Sequence, residues 1–248
     1  MEPIYQQTFT VDSRAVNSQG QLNPATLLRY LQTVAGEHFN LLEDPNATIA
    51  QKGLFWAVSR HRVLIHRMPR AGDTVTIQTW PMPTTKVAYP RAMAMYAADG
   101  TLLAQAVSLW VLMDRESRAM VLPGKSGVEV SGILLGTELE PPKSFLPKDL
   151  TEHCNRMVTQ DLLDSNGHMN NTRYLDWVIS LLPDAFYNEH SVKEFTICYH
   201  SEALEGQQIQ LNWGLSKAGV LQVDAHRIKT SDREKPQRVF TAQVQSFV

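Results

Sequence analysis

The chain has 248 residues, with 23 Lys and Arg against 25 Asp and Glu, which gives a formal net charge of -2. This balance excludes a general attraction to nucleic acid or to an anionic membrane, so an acidic partner would need a local basic patch. No stretch reaches the ~18 uninterrupted apolar residues of a membrane span, and residues 1–5 lack the basic and apolar segments of a secretory signal. The two cysteines lack CxxC spacing, so neither a disulfide framework nor a thiolate zinc site is predicted. The composition predicts a cytoplasmic globular protein without membrane insertion.

The first half begins with strand-like residues from 5 to 16. Asn23 and Pro24 follow as the cap and first turn of a helix. Its apolar stripe comprises Leu27, Leu28, Tyr30, Leu31, Val34 and Ala35. An alternating strand is predicted near 74–80, and a hairpin joins strands 92–98 and 102–113 through an Asp-Gly turn.

The second half follows a segment with three prolines and little periodicity, which predicts a linker over 138–150. A polar turn over 164–168 then leads into a helix that is apolar almost all round and ends before Pro183, with Asn170 or Asn171 as its cap. Strands are predicted near 207–213, 214–228 and 238–247.

The two halves form an internal repeat. Gly20 and Gly167 are 147 positions apart, and the same offset superimposes the caps and apolar stripes of the two helices. A strand, a helix and several antiparallel strands, present twice, predict an α+β tandem hot-dog fold. In this fold each half is a long central helix wrapped by an antiparallel sheet. The predicted domains are residues 1–137 and 151–248.

The turn over 164–168 is the candidate active site. Asn166-Gly167 readily takes a positive φ, so the chain can turn sharply and bring the side chains of Asp164, Asn166 and His168 together. The N-terminus of the next helix could stabilise a carbonyl oxygen that gains charge. The alternative is a surface Asn-Gly turn with an incidental histidine. The equivalent residues of the first half are Asn17, Gln19 and Gln21, so we expect one active site per chain, in the second half.

A metal site at this turn would use Asp164 and His168. These residues are four positions apart but lie in a turn, not on one helical face, and no second cluster supplies further ligands. We therefore predict no metal and no cofactor.

The run Asp-x-Asn-x-His-x-Asn-x-x-x-Tyr begins at Asp164 and ends at Tyr174. Together with residues 108–118 and 199–202, this run resembles the acyl-ACP thioesterase family. These tandem hot-dog enzymes of plant plastids and bacteria release free fatty acids from acyl carrier protein (ACP). The resemblance covers most of the chain. It implies a thioester hydrolase of fatty acid biosynthesis whose functional residues are Asp164, Asn166 and His168, completed by Glu202.

The chain departs from the family pattern directly after Glu202. Plant members often have a cysteine there, whereas this chain has Ala203, which argues against a mechanism of the Cys-His-Asn kind. The chain also begins almost at its first strand, without a plastid transit peptide, which favours a bacterial cytosolic enzyme.

Thioester hydrolysis needs a base, an oxyanion donor and a leaving group, and a thiolate already leaves well. We expect Glu202 and Asp164 to divide two roles between them. One takes a proton from water as the general base, and the other orients that water or attacks the thioester carbon directly. Asn166 could fix the water or a carboxylate, and His168 could donate toward the thioester or hold a carboxylate. The sequence leaves these roles open.

The first half has two candidate binding regions. Leu27, Tyr30, Leu31, Val34 and Trp56 would line a pocket that selects chain length, or would only be core. The densest basic stretch would bind an acidic carrier protein, or would be a solvated face; its arginines are Arg60, Arg62, Arg67 and Arg70.

Three rival functions remain at this stage. An acyl-CoA thioesterase would use the same site, because only the carrier differs. A hydratase or dehydratase also uses a His and a carboxylate on this fold. A non-catalytic acyl-binding module would bind without turnover. A monomer and a homodimer both fit, since two hot-dog halves in one chain can mimic a dimer.

Overall fold

The computed structural model describes residues 3–41, 49–136, 138–183, 186, 191–229 and 237–247. The chain divides into two compact units, Met1–Pro142 and Lys143–Val248. Within the described residues, no helix is both long and apolar enough to cross a bilayer.

The first unit contains an antiparallel sheet. Its strands are β1 (Tyr5–Thr10), β2 (Leu54–Ile65), β3 (Thr74–Pro81), β4 (Tyr89–Ala97), β5 (Leu102–Asp114) and β6 (Met120–Val121). The order across the sheet is β1-β3-β4-β5-β2, and the short β6 pairs with β5. The predicted turn is confirmed at Gly100, whose φ of 83° is one that glycine adopts without strain.

The long helix of this unit, α1 (Pro24–Leu41), contacts β1 and β3. Its predicted cap is confirmed, because the Asn23 side chain accepts a hydrogen bond of 2.9 Å from the backbone N–H of Ala25. The buried side of α1 includes Leu27, Leu28, Leu31, Val34 and Ala35. A second, short helix, α2, covers Pro123–Ser126.

The prediction of one strand from 5 to 16 is wrong beyond Thr10. The Asp12 side chain accepts a hydrogen bond of 2.7 Å from the backbone N–H of Arg14, which starts a 3₁₀ turn over Ser13–Ala15. Such a local bond to the backbone competes with strand pairing.

The second unit repeats this topology. Its strands are β7 (Glu152–Met157), β8 (Ser191–Tyr199), β9 (Gln208–Leu215), β10 (Val220–Arg227) and β11 (Gln237–Phe247). Their order, β7-β9-β10-β11-β8, places each strand where its counterpart lies in the first unit. The predicted strand over 214–228 is wrong at its start: residues 214 and 215 finish β9, and a turn containing Gly219, with φ of 72°, precedes β10.

The helix of the second unit, α3 (Arg173–Ile179), is shorter than predicted. Its predicted end at Leu182 is wrong, because the chain tightens after Ser180. The Ser180 hydroxyl donates to the carbonyl of Trp177 at 2.7 Å, and the next two N–H groups bond three residues back. The mostly apolar character is confirmed by its buried residues, Tyr174, Leu175, Trp177, Val178 and Ile179.

The internal repeat is confirmed by matching backbone hydrogen bonds. In the first unit the N–H of Leu22 donates to Pro69, and in the second the N–H of Met169 donates to Ala203. The N–H of Gly72 donates to Val11, as that of Gly206 does to Val158. The predicted linker, 138–150, has no helix or strand, and the boundary between the two units lies inside it. The exact domain limits stay a prediction.

Candidate active site

The loop from Asp164 to His168 is closed by its own hydrogen bonds. Oδ1 of Asp164 accepts the backbone N–H of Asn166 at 2.8 Å and that of His168 at 3.2 Å. The N–H of Asp164 donates to the carbonyl of His168 at 2.8 Å, and Gly167 has a φ of 77°. The Asp side chain and the Gly together therefore determine the shape of this turn.

A second segment, after the end of β8, lies against this loop. His168 forms an antiparallel bridge with Leu204, and the N–H of Met169 donates to the carbonyl of Ala203 at 2.9 Å. This pairing brings Nε2 of His168 to 3.6 Å from Oε2 of Glu202. That distance is longer than a hydrogen bond but allows electrostatic attraction. The two side chains are 27% and 43% exposed, so solvent and a substrate can reach both.

Tyr174 is buried next to the pair formed by His168 and Glu202. The residue is 2% exposed, and its hydroxyl is hydrogen-bonded to the backbone of Ala203. Burial raises the pKa of this phenol well above its usual range, and the negative charges of Glu202 and Asp164 raise it further. The phenol of Tyr174 is therefore neutral and lies close enough to both carboxylates for their charges to affect it. It belongs to the motif of the sequence, but its position under the site was not predicted.

Asn166 lies at the exposed tip of the turn. Its backbone N–H is bound by Asp164, while among the described contacts its side-chain amide makes no hydrogen bond. Of the four predicted catalytic residues, the structure therefore brings Asp164, His168 and Glu202 together and leaves the amide of Asn166 toward solvent.

Two further contacts, which no sequence pattern predicts, support the segment that carries Glu202. The hydroxyl of Tyr199 donates to the carbonyl of Asn171 at 2.8 Å. The hydroxyl of Ser201 donates to the carbonyl of Arg238 at 2.8 Å. Arg238 in turn binds both carboxylate oxygens of Asp224, each at 2.8 Å. Both contacts join residues far apart in the chain, which a single sequence does not reveal.

The equivalent loop of the first unit has the same shape and different chemistry. Oδ1 of Asn17 accepts the N–H groups of Gln19 and Gln21, each at 3.0 Å. The position that corresponds to Glu202 through the paired segment is Met68. This loop therefore contains neither a carboxylate nor an imidazole at the corresponding positions.

A cavity of about 720 Å³ lies within the first unit. Of the predicted pocket residues, Trp56 lines it, beside Phe39 and Tyr89. Leu27, Leu31 and Val34 are at most 1% exposed and pack in the core. Tyr30 stacks on Phe9 with ring centroids 5.0 Å apart.

The four arginines of the basic stretch have different surroundings. The guanidinium groups of Arg60 and Arg62 each donate at 3.3 Å to a backbone carbonyl, of Pro142 and Glu140 respectively. That of Arg70 donates to the carbonyl of Gln19 at 3.1 Å. Arg67 is exposed.

Comparison with known families gives a match over most of the chain. Residues 2–122 match the acyl-ACP thioesterase N-terminal domain, and residues 149–242 match the acyl-ACP thioesterase C-terminal domain.

Curated relatives include the chloroplastic palmitoyl-acyl carrier protein thioesterase of Gossypium hirsutum. It is 26% identical over 80% of this chain and 52% of its own length. The chloroplastic dodecanoyl-[acyl-carrier-protein] hydrolase of Cinnamomum camphora is 24% identical over 88% of this chain and 62% of its own length. The chain thus spans between half and two thirds of these relatives.

Two solved structures share the fold. An acyl-ACP thioesterase from Bacteroides thetaiotaomicron superimposes with a TM-score of 0.87 at 21% identity, covering 99% of this chain and 98% of the other. The 12:0-ACP thioesterase from Umbellularia californica has a TM-score of 0.82 at 19% identity, covering 100% and 98%. The fold is a tandem hot-dog, and the chain belongs to the acyl-ACP thioesterase family.

Proposed function

We propose that this protein hydrolyses the thioester of acyl-ACP and releases free fatty acid and holo-ACP in fatty acid biosynthesis. One observation carries the proposal: the turn of Asp164 and His168, which precedes α3, lies against the segment of Glu202, which follows β8, and these residues match the family motif. Family membership supports the choice of the thioester and of its carrier.

Glu202 is the proposed general base. Its carboxylate is exposed enough to hold a water molecule, and the neighbouring imidazole of His168 limits the directions in which it can point. The carboxylate takes a proton from this water while the water oxygen forms a bond to the thioester carbon. The electrons of the C=O bond move to its oxygen and then re-form that bond as the C–S bond breaks. The electron pair of the C–S bond leaves with the sulfur, and the departing thiolate takes up the proton that Glu202 removed from the water, which regenerates the carboxylate.

Asp164 has two proposed roles. Its Oδ1 holds the turn that positions His168, and its negative charge helps to orient the attacking water. An N–H group of the His168 imidazole donates a hydrogen bond to the oxyanion as it forms. In this arrangement Asn166 orients the carrier or the water from the exposed tip of the turn.

The first unit is proposed to select the acyl chain and to contribute no catalytic group. Its cavity has a size typical of sites that hold one small organic molecule. Trp56, Phe39 and Tyr89 give this cavity an apolar aromatic wall. The first unit has Asn17 and Met68 where the second unit has Asp164 and Glu202, which supports catalysis in the second unit alone.

The basic stretch, Arg60, Arg62, Arg67 and Arg70, is proposed to attract the acidic carrier protein. Reversal of an exposed charge should slow association more than chemistry. Arg67→Glu is the cleanest variant, because Arg60 and Arg62 also hold backbone carbonyls. We expect a higher KM for acyl-ACP, an unchanged KM for acyl-CoA and an unchanged kcat for both. An equal KM for acyl-ACP in the variant and the wild type would remove this assignment.

Free-thiol release from matched panels of acyl-ACP and acyl-CoA tests the function. The expected result is faster turnover of acyl-ACP, with a clear optimum of chain length, and a loss of both activities in Asp164→Ala. Equal or better turnover of acyl-CoA would favour an acyl-CoA thioesterase. No turnover of either carrier would reject hydrolysis. The bacterial cytosolic location and the homodimer stay predictions.

A further inference from the structure

The cavity of the first unit contains a buried cation. Arg91, on β4, lines the cavity and is 7% exposed. Its guanidinium donates to Nδ1 of His38 at 3.0 Å and to the hydroxyl of Thr79 at 3.2 Å. Neither partner is an acid. Burial lowers the pKa of Arg91 to about 10, and no charged neighbour contributes to that shift, so the group is still a cation at neutral pH.

A buried charge without a counter-ion is costly, and proteins normally pair it. Among the described residues that line the cavity, the one carboxylate is Glu129, which is exposed and accompanied by exposed Arg115. Within this part of the chain, Arg91 therefore has polar partners and no neutralising partner.

Hydrogen-bond donors outnumber the available acceptors around Arg91. Because an arginine N–H must donate, Nδ1 of His38 is an acceptor and the imidazole is neutral. Nδ1 of His38 is thus already used by Arg91, and the Thr79 hydroxyl donates to the carbonyl of Ala92 while it accepts from Arg91. The indole nitrogens of Trp56 and Trp110, two other lining residues, are buried and have no hydrogen-bond acceptor among the residues that the structure describes. An oxygen-rich anion would supply what these groups lack.

The rest of the lining is apolar. Phe39 and Tyr89 each meet the ring of Trp56 edge to face, with centroids 5.6 and 4.8 Å apart, and Ile49, Leu54 and Val130 complete the wall. A fully polar anion such as phosphate would make no favourable contact with this apolar lining. It would also carry more negative charge than one arginine neutralises. We propose that the cavity of the first unit binds an aliphatic carboxylate, with the carboxylate at Arg91 and the chain along the aromatic wall.

Two sources could supply such a ligand. One is a free fatty acid, and the other is an acyl chain with a carboxylate at its far end. The second source rests on the proposed hydrolysis, whereas binding of a free acid does not. Binding is therefore measured without turnover, so that failure of the catalytic proposal and failure of this one remain distinguishable.

The test is calorimetric titration of the whole protein with decanoate, decanol and decylammonium below their micellar concentrations. The wild type should bind decanoate about 10- to 100-fold more tightly than decanol, as expected for a charge-assisted hydrogen bond, and should bind decylammonium most weakly. Decanoate should also slow amide hydrogen exchange in β4 and at the end of α1. Equal affinity for decanoate and decanol, or protection elsewhere in the chain, would overturn the proposal on the wild type alone.

Variants locate the charge. Arg91→Met should bring the affinity for decanoate down to that for decanol, and Arg91→Lys should keep part of the preference. The matched control is Arg14→Met, a side chain 88% exposed, which should behave like the wild type. Unchanged decanoate affinity in a folded Arg91→Met protein would contradict the assignment.

Thioesters of equal length that end in a carboxylate or a methyl group separate the two sources. A higher kcat/KM for the carboxylate end, lost in Arg91→Met, would identify the acyl chain as the source. Equal kcat/KM values together with decanoate binding at Arg91 would identify the free acid.

Discussion

Asp164 and Asn17 occupy equivalent positions in the two halves, and Oδ1 of each accepts hydrogen bonds from two backbone N–H groups. The distances are 2.8 and 3.2 Å for Asp164 and 3.0 Å for both bonds of Asn17. An asparagine therefore builds this turn as well as an aspartate does. What Asp164 adds beside His168 and Glu202 is negative charge.

Asp164→Asn should consequently keep the fold and lose activity. The turn needs only an oxygen acceptor, whereas the proposed chemistry needs the charge, so kcat/KM should fall by about 10²- to 10⁴-fold. Thiol release at fixed enzyme concentration measures this, with circular dichroism as the test of folding. The matched control, Asn17→Asp, should leave the rate unchanged.

Glu202→Gln should also lower kcat/KM by about 10²- to 10⁴-fold, because the amide keeps the size of the side chain and cannot accept a proton. Glu205→Gln, a change of the same kind at an exposed position three residues on, is the control. If both variants turned over acyl-ACP at the wild-type rate, Glu202 would not be the base.

Tyr174→Phe should loosen the backbone at Ala203, the residue that follows Glu202. The variant leaves the backbone of Ala203 without its hydroxyl partner, and a lost buried hydrogen bond costs about 1–3 kcal/mol of unfolding free energy. We expect lower kcat with little change in KM, since the hydroxyl lies below the carboxylates. Tyr199→Phe, which loses a bond to Asn171, should reduce stability similarly. Equal kcat in wild type and Tyr174→Phe would limit Tyr174 to a structural role.

His61 should make stability depend on pH. It is 1% exposed between Gln32 and Ser108, and burial lowers its pKa from 6.5 to about 3. Between these values the unfolded chain binds one more proton than the folded chain, so this contribution to stability is full above pH 6.5 and is lost as the pH falls.

Denaturant unfolding at pH 7 and pH 5 tests this dependence. From pH 7 to pH 5, His61 should account for about 2 kcal/mol of the decrease in unfolding free energy. His61→Gln should remove that part of the pH dependence, whatever its effect on stability at pH 7. A decrease of the same size in the variant would show that other groups cause it.

Gly214→Ala should destabilise the second unit. An added Cβ would lie 2.1 Å from the carbonyl oxygen of Asp149, which is backbone and cannot move without displacing its segment. Gly36→Ala, in the middle of α1, meets no atom within 4 Å and should raise the unfolding free energy by about 0.5–1 kcal/mol. Thermal denaturation of both variants would show opposite shifts of Tm; a stabilised Gly214→Ala protein would contradict the packing described.

Much of this architecture could be predicted from the sequence, because the signals were local. The Asn23 cap and the Asp-Gly turn each lie in a short stretch of residues, and the repeat is visible because two such stretches, at Gly20 and Gly167, match each other. The end of α3 could not be predicted from its apolar pattern, because the hydroxyl of Ser180 turns back to the carbonyl of Trp177 before Pro183 is reached.

The candidate site was only partly predictable. The turn at Asp164 and His168 follows from local spacing, whereas Glu202 is predicted only through the resemblance to a family. Its approach to His168 depends on the pairing of Met169 with Ala203, which the local pattern does not encode. The contact between Arg91 and His38 joins residues 53 positions apart and left no pattern in the sequence.

The most direct test of the account is the rate of free-thiol release from acyl-ACP by the wild type and Asp164→Asn, with acyl-CoA of the same chain length measured in parallel. The account predicts that the wild type hydrolyses acyl-ACP in preference to acyl-CoA and that the folded variant loses this activity. Hydrolysis of acyl-ACP by Asp164→Asn at the wild-type rate would contradict the assignment of the site, and no hydrolysis by the wild type would contradict the function.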